Sequence, residues 1–178
     1  TPLFLSKHTQ LLEIADLELT EVDNDANRLS RVEQNLSRLN LNAALLSADV
    51  TNVDEWWDRT PFERILADLP CTASGVVRRH PDIKWLRRLS DIPQFVKQQR
   101  LMLDSLWRLL VGGGKLLYTT CSIFQEENSQ QVADFLVRHA DAKQLPLSGV
   151  HALDGTPDGQ LLPDSEHDGF FYALLQKI

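Results

Sequence analysis

Two cysteines follow apolar segments of the chain in similar surroundings. Ile65–Ala67 leads into Asp68 and then Cys71, while Lys115–Thr119 leads into Cys121. Chemistry in open α/β sheets takes place where strands end, so both thiols are expected to face one crevice. A free cysteine is most often a small core residue. The repeated placement favours reactive roles, because one thiol lies near a carboxylate and the other precedes a predicted helix whose N-terminus favours a thiolate.

A basic segment follows Cys71, after small residues at Thr72–Gly75 that are expected to let a ligand approach the backbone. Its members are Arg78, Arg79, His80, Lys84, Trp85, Arg87 and Arg88. The formal net charge of the chain is −7, so a polyanion must be met by a local patch. Runs of charge are usually solvated surface. Basic side chains around an aromatic ring nevertheless bind unpaired bases, and we expect contact with nucleic acid.

Three aspartates end predicted strands or follow them closely: Asp23, Asp49 and Asp68. In doubly wound sheets an acid at this edge commonly binds ribose hydroxyls, which predicts a cofactor that contains a nucleoside. Taken singly, each aspartate is equally well explained as a helix N-cap or a solubilising charge.

Hydrophobic periodicity predicts the elements that position these residues. The predicted helices cover residues 7–15, 26–39, about 92–110 and 126–139. The predicted strands cover residues 17–22, 43–46, 62–67, 115–119 and 169–176, with a possible short strand at 144–147. Residues 52–60 read as a connector or short helix, and 149–168 as surface loop. This alternation predicts an α/β fold with a mostly parallel sheet and helices on both faces.

Three consecutive glycines, Gly112–Gly114, follow the helix predicted to end near Leu110. A phosphate-binding loop requires the opposite order, a strand followed by a helix. We therefore expect the glycines to form a helix C-cap and turn.

Composition places the chain among ordinary globular proteins of one domain, with 178 residues of which 43% are hydrophobic and 24% charged. No apolar run approaches the length of a membrane span, and no signal-peptide pattern is present, so no membrane partner is expected. The two cysteines lie outside any C-x-x-C pair or Cys/His cluster, which predicts no metal site. Free thiols suit a reducing cytoplasm.

Several long motifs carry a resemblance to a known family. They comprise Asp68-Leu69-Pro70-Cys71-Thr72-Ala73-Ser74-Gly75, Arg79-His80-Pro81-Asp82, Lys84-Trp85-Leu86-Arg87, Thr119-Thr120-Cys121-Ser122, Glu126-Glu127-Asn128 and Asp168-Gly169-Phe170-Phe171. Together they strongly resemble the bacterial ribosomal RNA cytosine-5 methyltransferases of the Fmu/Sun type. The likeness extends from about Lys7 to the end of the chain.

The resemblance implies a Rossmann-like class I methyltransferase that transfers a methyl group from S-adenosyl-L-methionine to carbon 5 of a cytosine in small-subunit ribosomal RNA. It implies that Cys121 attacks carbon 6 of the base, that Cys71 assists release of the product, and that Asp68 hydrogen-bonds the N3 edge. Carbon 5 of cytosine is a poor nucleophile, and addition of a thiolate at carbon 6 makes it enamine-like. The cofactor-binding positions implied by the resemblance are Asp23, Arg28, Asp49, Asp68, Pro70 and Lys7.

The chain departs from the family at its beginning. Phe4, Leu5 and Ser6 stand where the family has a proline- and glycine-rich cofactor loop, and the first strand is missing or reduced to residues 1–5. The N-terminal RNA-binding domain of the family is also expected to be missing. Residues 1–178 are therefore expected to form a single, partial methyltransferase domain with a damaged cofactor site. The alternative hypothesis is a catalytically impaired fragment or an RNA-binding module without a competent cofactor loop.

Overall fold

The computed structural model describes residues 18–147 and 159–178, which belong to two compact units that meet in sequence between Asp58 and Arg59. The helix predicted at 7–15, the abbreviated strand at 1–5, Phe4–Ser6 and Lys7 all lie outside the described residues. Much of the loop predicted over 149–168 does so as well.

The first unit contains two strands and two helices: β1 (Thr20–Asp23), α1 (Ala26–Leu39), β2 (Ala44–Ser47) and α2 (Val53–Trp56). β1 and β2 are parallel, and the pairing of Asp23 with Ser47 brings their carboxyl ends together. The prediction of a helix over 26–39 is confirmed. Asp25 begins this helix as its N-cap, since its carboxylate accepts a hydrogen bond from the backbone N–H of Asn27 at 2.9 Å.

The second unit is built on a five-stranded sheet. Its strands are β3 (Phe62–Asp68), β4 (Leu110–Thr120), β5 (Ala142–Leu145), β6 (Gln160–Leu161) and β7 (Phe170–Lys177). Its helices are α3 (Ile83–Leu86), α4 (Ile92–Arg108) and α5 (Ser129–Arg138), with short 3-10 turns at Ser74–Val76, Leu89–Asp91 and Gln125–Glu127. The strand order is β3-β4-β7-β5, with β6 also paired to β7. β3 and β4 are parallel, whereas β7 runs antiparallel to each of its neighbours.

The core of the second unit lies between this sheet and helices α4 and α5. Its largest fully buried apolar side chains are Leu103, Leu109, Leu116, Tyr118, Phe135, Phe171 and Leu175. Trp107 of α4 meets Phe135 of α5 edge to face, with ring centroids 5.1 Å apart. This packing holds α4 and α5 against each other, beside the sheet whose strands β3 and β4 lead to the two cysteines.

The prediction for Gly112–Gly114 is wrong, because these glycines lie inside β4 and do not cap α4. Two residue steps on β3, from Phe62 to Arg64, are matched by five steps on β4, from Leu110 to Lys115, so the glycines form a bulge. Gly113 has φ of 82°, which favours glycine.

Backbone carbonyls at the end of α4 accept hydrogen bonds from a lysine side chain, and no glycine cap is present there. The ammonium of Lys177, on β7, donates hydrogen bonds to the carbonyls of Trp107 and Leu110, both at 3.0 Å. A positive charge at this position also interacts favourably with the helix dipole. The helix can therefore end without a left-handed residue, and the glycines are free to form the bulge.

The arrangement of alternating strands and helices confirms the prediction of an α/β fold. Within residues 18–147 and 159–178, no helix has the length and apolar character needed to cross a membrane.

Candidate active site

The two thiols are adjacent, with Cys71 Sγ and Cys121 Sγ 3.3 Å apart. β3 and β4 are parallel and in register at Asp68 and Thr119, so the segments that follow both strands leave the same edge of the sheet. Each segment contains one of the cysteines, so both thiols lie at this edge. Cys71 is buried at 7% exposure, while Cys121 is partly exposed, and both are free thiols.

The hydrogen bond between the two thiols shifts their pKa values in opposite directions. The hydrogen bond from Cys71 lowers the pKa of Cys121, against the opposing effects of burial and of the negative charge on Asp68. The same hydrogen bond and burial raise the pKa of Cys71 far above its usual range. Cys121 is thus the thiol that ionises more readily, and Cys71 is the hydrogen-bond donor to it.

Asp68 and Pro70 lie on the connection between β3 and Cys71. Asp68 is the last residue of β3, is exposed, and lies close enough to Cys121 for its charge to act on that thiol. The carbonyl of Pro70 accepts a hydrogen bond from the side-chain amide of Gln99 at 2.9 Å, which ties this connection to α4.

The segments that carry the cysteines are held together through the backbone of Gly75. Its N–H donates to the carbonyl of Cys121 at 2.9 Å, and its own carbonyl accepts from the N–H of Gly169 at 2.8 Å. A Cβ at Gly75 would overlap the carbonyl of Gly169. The close approach at this glycine is therefore made by the protein's own backbone.

Two arginines of the basic segment contact the segment that precedes β7. Arg79 forms an ion pair with Asp168, which is 7% exposed. Arg78 donates hydrogen bonds to the carbonyls of Asp164 and Ser165, at 3.3 and 2.7 Å. These contacts link the basic segment to the Asp168-Gly169-Phe170-Phe171 motif.

The rest of the basic segment is more open. Arg87 donates to the carbonyl of Thr72 at 3.1 Å and lies over the ring of Phe95, with its guanidinium carbon 5.0 Å from the centroid. Trp85 is 88% exposed. The exposed basic residues beside it are His80, Lys84 and Arg88.

In the first unit, Asp23 and Arg28 form an ion pair at the end of β1. Asp23 Oδ1 accepts from the guanidinium at 2.7 Å and from the backbone N–H of Asp25, also at 2.7 Å. The hydrogen bond that Arg28 donates to Asp23 is the main cause that raises the pKa of Arg28. The ion pair holds a carboxylate at the carboxyl edge of this parallel sheet.

Asp49 follows β2 at the same edge and folds into a local turn. Its Oδ1 accepts from the hydroxyl and the backbone N–H of Thr51, at 2.7 and 2.8 Å. These two hydrogen bonds lower the pKa of Asp49. Asp49 therefore makes the local contacts expected of a turn residue and stays exposed.

Comparison with known proteins places the chain in a family. Residues 6–176 match the family model described as 16S rRNA methyltransferase RsmB/F. The chain belongs to this RsmB/F family. Ribosomal RNA small subunit methyltransferase B of Shewanella oneidensis is 48% identical over 174 residues, which are 96% of this chain and 40% of that protein. The chain thus spans about two fifths of the length of this curated relative.

Solved structures give the same relationship. The crystal structure of NSun6 from Pyrococcus horikoshii has a TM-score of 0.82 and 30% sequence identity, and covers 96% of this chain and 44% of that one. A methyltransferase homologue from Pyrococcus horikoshii has a TM-score of 0.75 and 33% identity, over 92% of this chain and 54% of that one. The family resemblance and the class I methyltransferase fold expected from the motifs are confirmed.

A buried polar cluster in this RsmB/F chain was not foreseen from the sequence. Its centre is Glu127, which has 0% exposure, and its other members are Thr72, Gln99, Tyr118 and Ser122. A signal was present, because Gln99 interrupts the apolar stripe of α4 at a core position.

Within the described part of the chain, no group of three or more His, Cys, Asp and Glu side chains is arranged to bind a metal ion.

Proposed function

We propose that this RsmB/F chain is part of an enzyme that methylates carbon 5 of a cytosine in small-subunit ribosomal RNA, with Cys121 as the nucleophile. The observation that carries the proposal is the 3.3 Å separation of two thiols of unequal acidity. Such a pair suits a reaction in which a bond to sulfur first forms and later breaks. The family match runs through both units, so we assign them to one methyltransferase domain. We place its action in the cytoplasm, because both cysteines are free thiols and a reducing compartment keeps them so.

The reaction begins when the thiolate of Cys121 bonds to carbon 6 and the electron pair of the C5–C6 double bond makes carbon 5 nucleophilic. When bound, S-adenosyl-L-methionine would supply the methyl group that carbon 5 takes up, and its sulfur would keep the electron pair of the S–CH3 bond that breaks. A base then removes the proton of carbon 5, the double bond re-forms, and the C6–S bond breaks with its electron pair on Cys121. Cys71 assists this last step, because its S–H can hydrogen-bond the departing thiolate.

Asp68 would hold the pyrimidine during these steps. Its carboxylate lies at the end of β3 and acts electrostatically on Cys121, so a ring bonded to that sulfur would be within its reach. A carboxylate accepts hydrogen bonds, and the amino group on carbon 4, at the N3 edge of the ring, offers N–H donors. The role proposed for Asp68 is therefore to orient the ring and stabilise the adduct.

The first unit fits the nucleoside end of the cofactor. Asp23 and Asp49 lie at the carboxyl ends of two paired parallel strands, where nucleosides bind in α/β sheets. Both are carboxylates that accept hydrogen bonds from hydroxyl or amino groups. We assign Asp23, oriented by Arg28, to the ribose and Asp49 to the adenine. In the second unit, taken by itself, Asp68 and Pro70 are the residues that the family resemblance implies for cofactor binding.

The exposed part of the basic segment is the proposed RNA surface. Trp85 presents nearly all of its ring to solvent beside Lys84 and Arg88. A base can stack on the ring while the cations contact phosphates. Arg78, Arg79 and Arg87 also contact protein groups, so their proposed share in RNA binding includes holding the segment in place.

Trapping on RNA that contains 5-fluorocytosine tests the chemistry. Fluorine at carbon 5 cannot leave as a proton does, so the covalent adduct persists after methyl transfer. Cys121→Ala is expected to abolish the adduct, and Cys71→Ala to retain or accumulate it. An adduct that survives Cys121→Ala and disappears in Cys71→Ala would reverse the assignment, giving the arrangement in which the cysteine after proline is the nucleophile.

Binding of single-stranded RNA tests the surface separately from the chemistry. Trp85→Ala should weaken binding by about 1–3 kcal/mol, the usual contribution of one base stacked on an aromatic ring. Trp85→Phe keeps a ring and should retain most of the affinity. Leu89→Ala is the matched control, since Leu89 is 80% exposed nearby but has no aromatic face. Equal losses in Trp85→Ala and Leu89→Ala would contradict a stacking role.

A further inference from the structure

Glu127 is a fully buried carboxylate that accepts four hydrogen bonds. Oε1 accepts from the backbone N–H of Thr72 and from the side-chain amide of Gln99, each at 3.0 Å. Oε2 accepts from the hydroxyls of Thr72 and Ser122, each at 2.6 Å. Each carboxylate oxygen thus accepts two of the four hydrogen bonds.

Two of the residues bound to this carboxylate immediately follow the cysteines. Thr72 comes after Cys71, and Ser122 comes after Cys121. Their hydroxyls meet at one oxygen of Glu127 and also lie 3.2 Å from each other. A single side chain therefore joins the two segments directly beside the thiols.

The carboxylate is itself held in place by the core. Gln99 of α4 donates both to Glu127 and to the carbonyl of Pro70, so the same helix anchors the acid and the connection that precedes Cys71. The hydroxyl of Tyr118, on β4, donates to the backbone carbonyl of Glu127. A buried cluster in which each member is hydrogen-bonded is rigid and specifies one arrangement.

We propose that Glu127 is the positioning residue that fixes the spacing of the two thiols, by holding the residue after each cysteine on one carboxylate. It touches neither thiol in the structure and acts through Thr72 and Ser122. The hydrogen bond between the thiols has the largest effect on both of their pKa values, raising that of Cys71 and lowering that of Cys121, whereas the charge on Glu127 acts to raise each pKa. Glu127 thus opposes thiolate formation electrostatically, and its contribution to the site is geometric. The importance of that spacing for methylation rests on the proposed function.

Glu127→Gln is the matched substitution, because it keeps the shape of the side chain and replaces one acceptor oxygen by an NH₂ donor. That donor would face hydroxyl or N–H groups that now donate to the carboxylate. Glu126→Gln is the control, since Glu126 precedes Glu127 in the same 3-10 turn and is exposed. Ser122→Ala is a milder variant that removes one of the four hydrogen bonds, for use if Glu127→Gln fails to fold.

Exchange with glutathione measures the spacing without RNA or cofactor. The two protein thiols and oxidised glutathione form a protein disulfide and two reduced glutathione molecules, and the equilibrium constant gives the effective concentration of one thiol at the other. A displacement of about 1 Å can lower effective concentration by about 100-fold. We expect a decrease of about 10- to 100-fold in Glu127→Gln, a smaller decrease in Ser122→Ala, and no change in Glu126→Gln.

Each outcome decides between the two proposals. The positioning role is overturned if the wild-type protein forms no disulfide. It is also overturned if Glu127→Gln or Ser122→Ala folds and has the same equilibrium constant with glutathione as Glu126→Gln. A wild-type protein that forms the disulfide but no adduct with 5-fluorocytosine RNA contradicts the proposed function and leaves the positioning role intact. If both proposals hold, Glu127→Gln slows adduct formation while RNA binding stays unchanged.

Discussion

Replacement of Gly75 by alanine should separate the two segments that carry the cysteines. A Cβ at this position would overlap the carbonyl oxygen of Gly169 and lie 2.9 Å from that of Cys121. Both neighbours are backbone atoms, which cannot rotate away as a flexible side chain would. The chain must therefore move, and the two hydrogen bonds of Gly75, to Cys121 and Gly169, must lengthen or break.

The expected loss follows from these contacts. Overpacking of a well-packed site costs about 1–3 kcal/mol, and each backbone hydrogen bond contributes about 1 kcal/mol. With partial relaxation, Gly75→Ala should lower the free energy of unfolding by about 3 kcal/mol. For an m-value of about 2 kcal/mol per molar urea, the unfolding midpoint falls by about 1.5 M.

Urea unfolding followed by tryptophan fluorescence is a suitable assay, since Trp107 is 2% exposed in the core of the second unit. Gly112→Ala is the matched control. Gly112 lies in the β4 bulge, and a Cβ there would meet no atom within 4 Å, so a change below about 0.5 kcal/mol is expected. Equal midpoints for Gly75→Ala and Gly112→Ala would refute the close approach of the two segments.

Three further measurements test other parts of the structure. Leu103→Ala should lower the free energy of unfolding by about 2–5 kcal/mol, because Leu103 has 0% exposure. Leu101→Ala should have little effect, since Leu101 is 53% exposed. Equal losses would contradict the orientation of α4, in which Leu103 faces the core and Leu101 faces solvent. Thr51→Ala should raise the pKa of Asp49 toward its usual value in an NMR titration, since the hydroxyl bond is the main cause of its low pKa. Asp49 accordingly favours the folded state above its unfolded pKa, and that contribution disappears as the pH falls through its lower folded pKa; an unchanged titration would exclude the hydroxyl as the cause. Iodoacetamide near neutral pH should modify Cys121 before Cys71, because the pKa of Cys121 is lowered and its side chain is the more exposed of the two. Mass spectrometry maps the order of modification. The reverse order would contradict the direction of the hydrogen bond between the two thiols.

Much of the fold follows from local patterns in the sequence. Ala26–Leu39 is amphipathic over four turns, and it forms a helix with the predicted bounds. The strand predicted at 62–67 lies within β3, which is one residue longer. The agreement is close because turn residues bound the apolar run of this strand. These elements are determined by periodicity and by neighbours a few residues away.

The features that were not predicted depend on contacts between distant residues. Gly112–Gly114 have the composition of a cap, but Lys177 satisfies the end of α4 from 67 to 70 positions away in sequence. The role of Glu127 as the centre of a buried cluster depends on Gln99 and on the residues after both cysteines, which only the folded sheet brings together. A single sequence contains the residue types of such a cluster without the distances between them.

The position of β7 affects the order in which the second unit can be completed during synthesis. Among the five described strands of this sheet it is the last to leave the ribosome, yet it lies between β4 and β5, which are made before it. In the nascent chain β4 has one open edge, and the residues of β5 that later bond to β7 have no partner. Such long-range pairing is slow, so the edges of β4 and β5 stay exposed to association until β7 has been inserted.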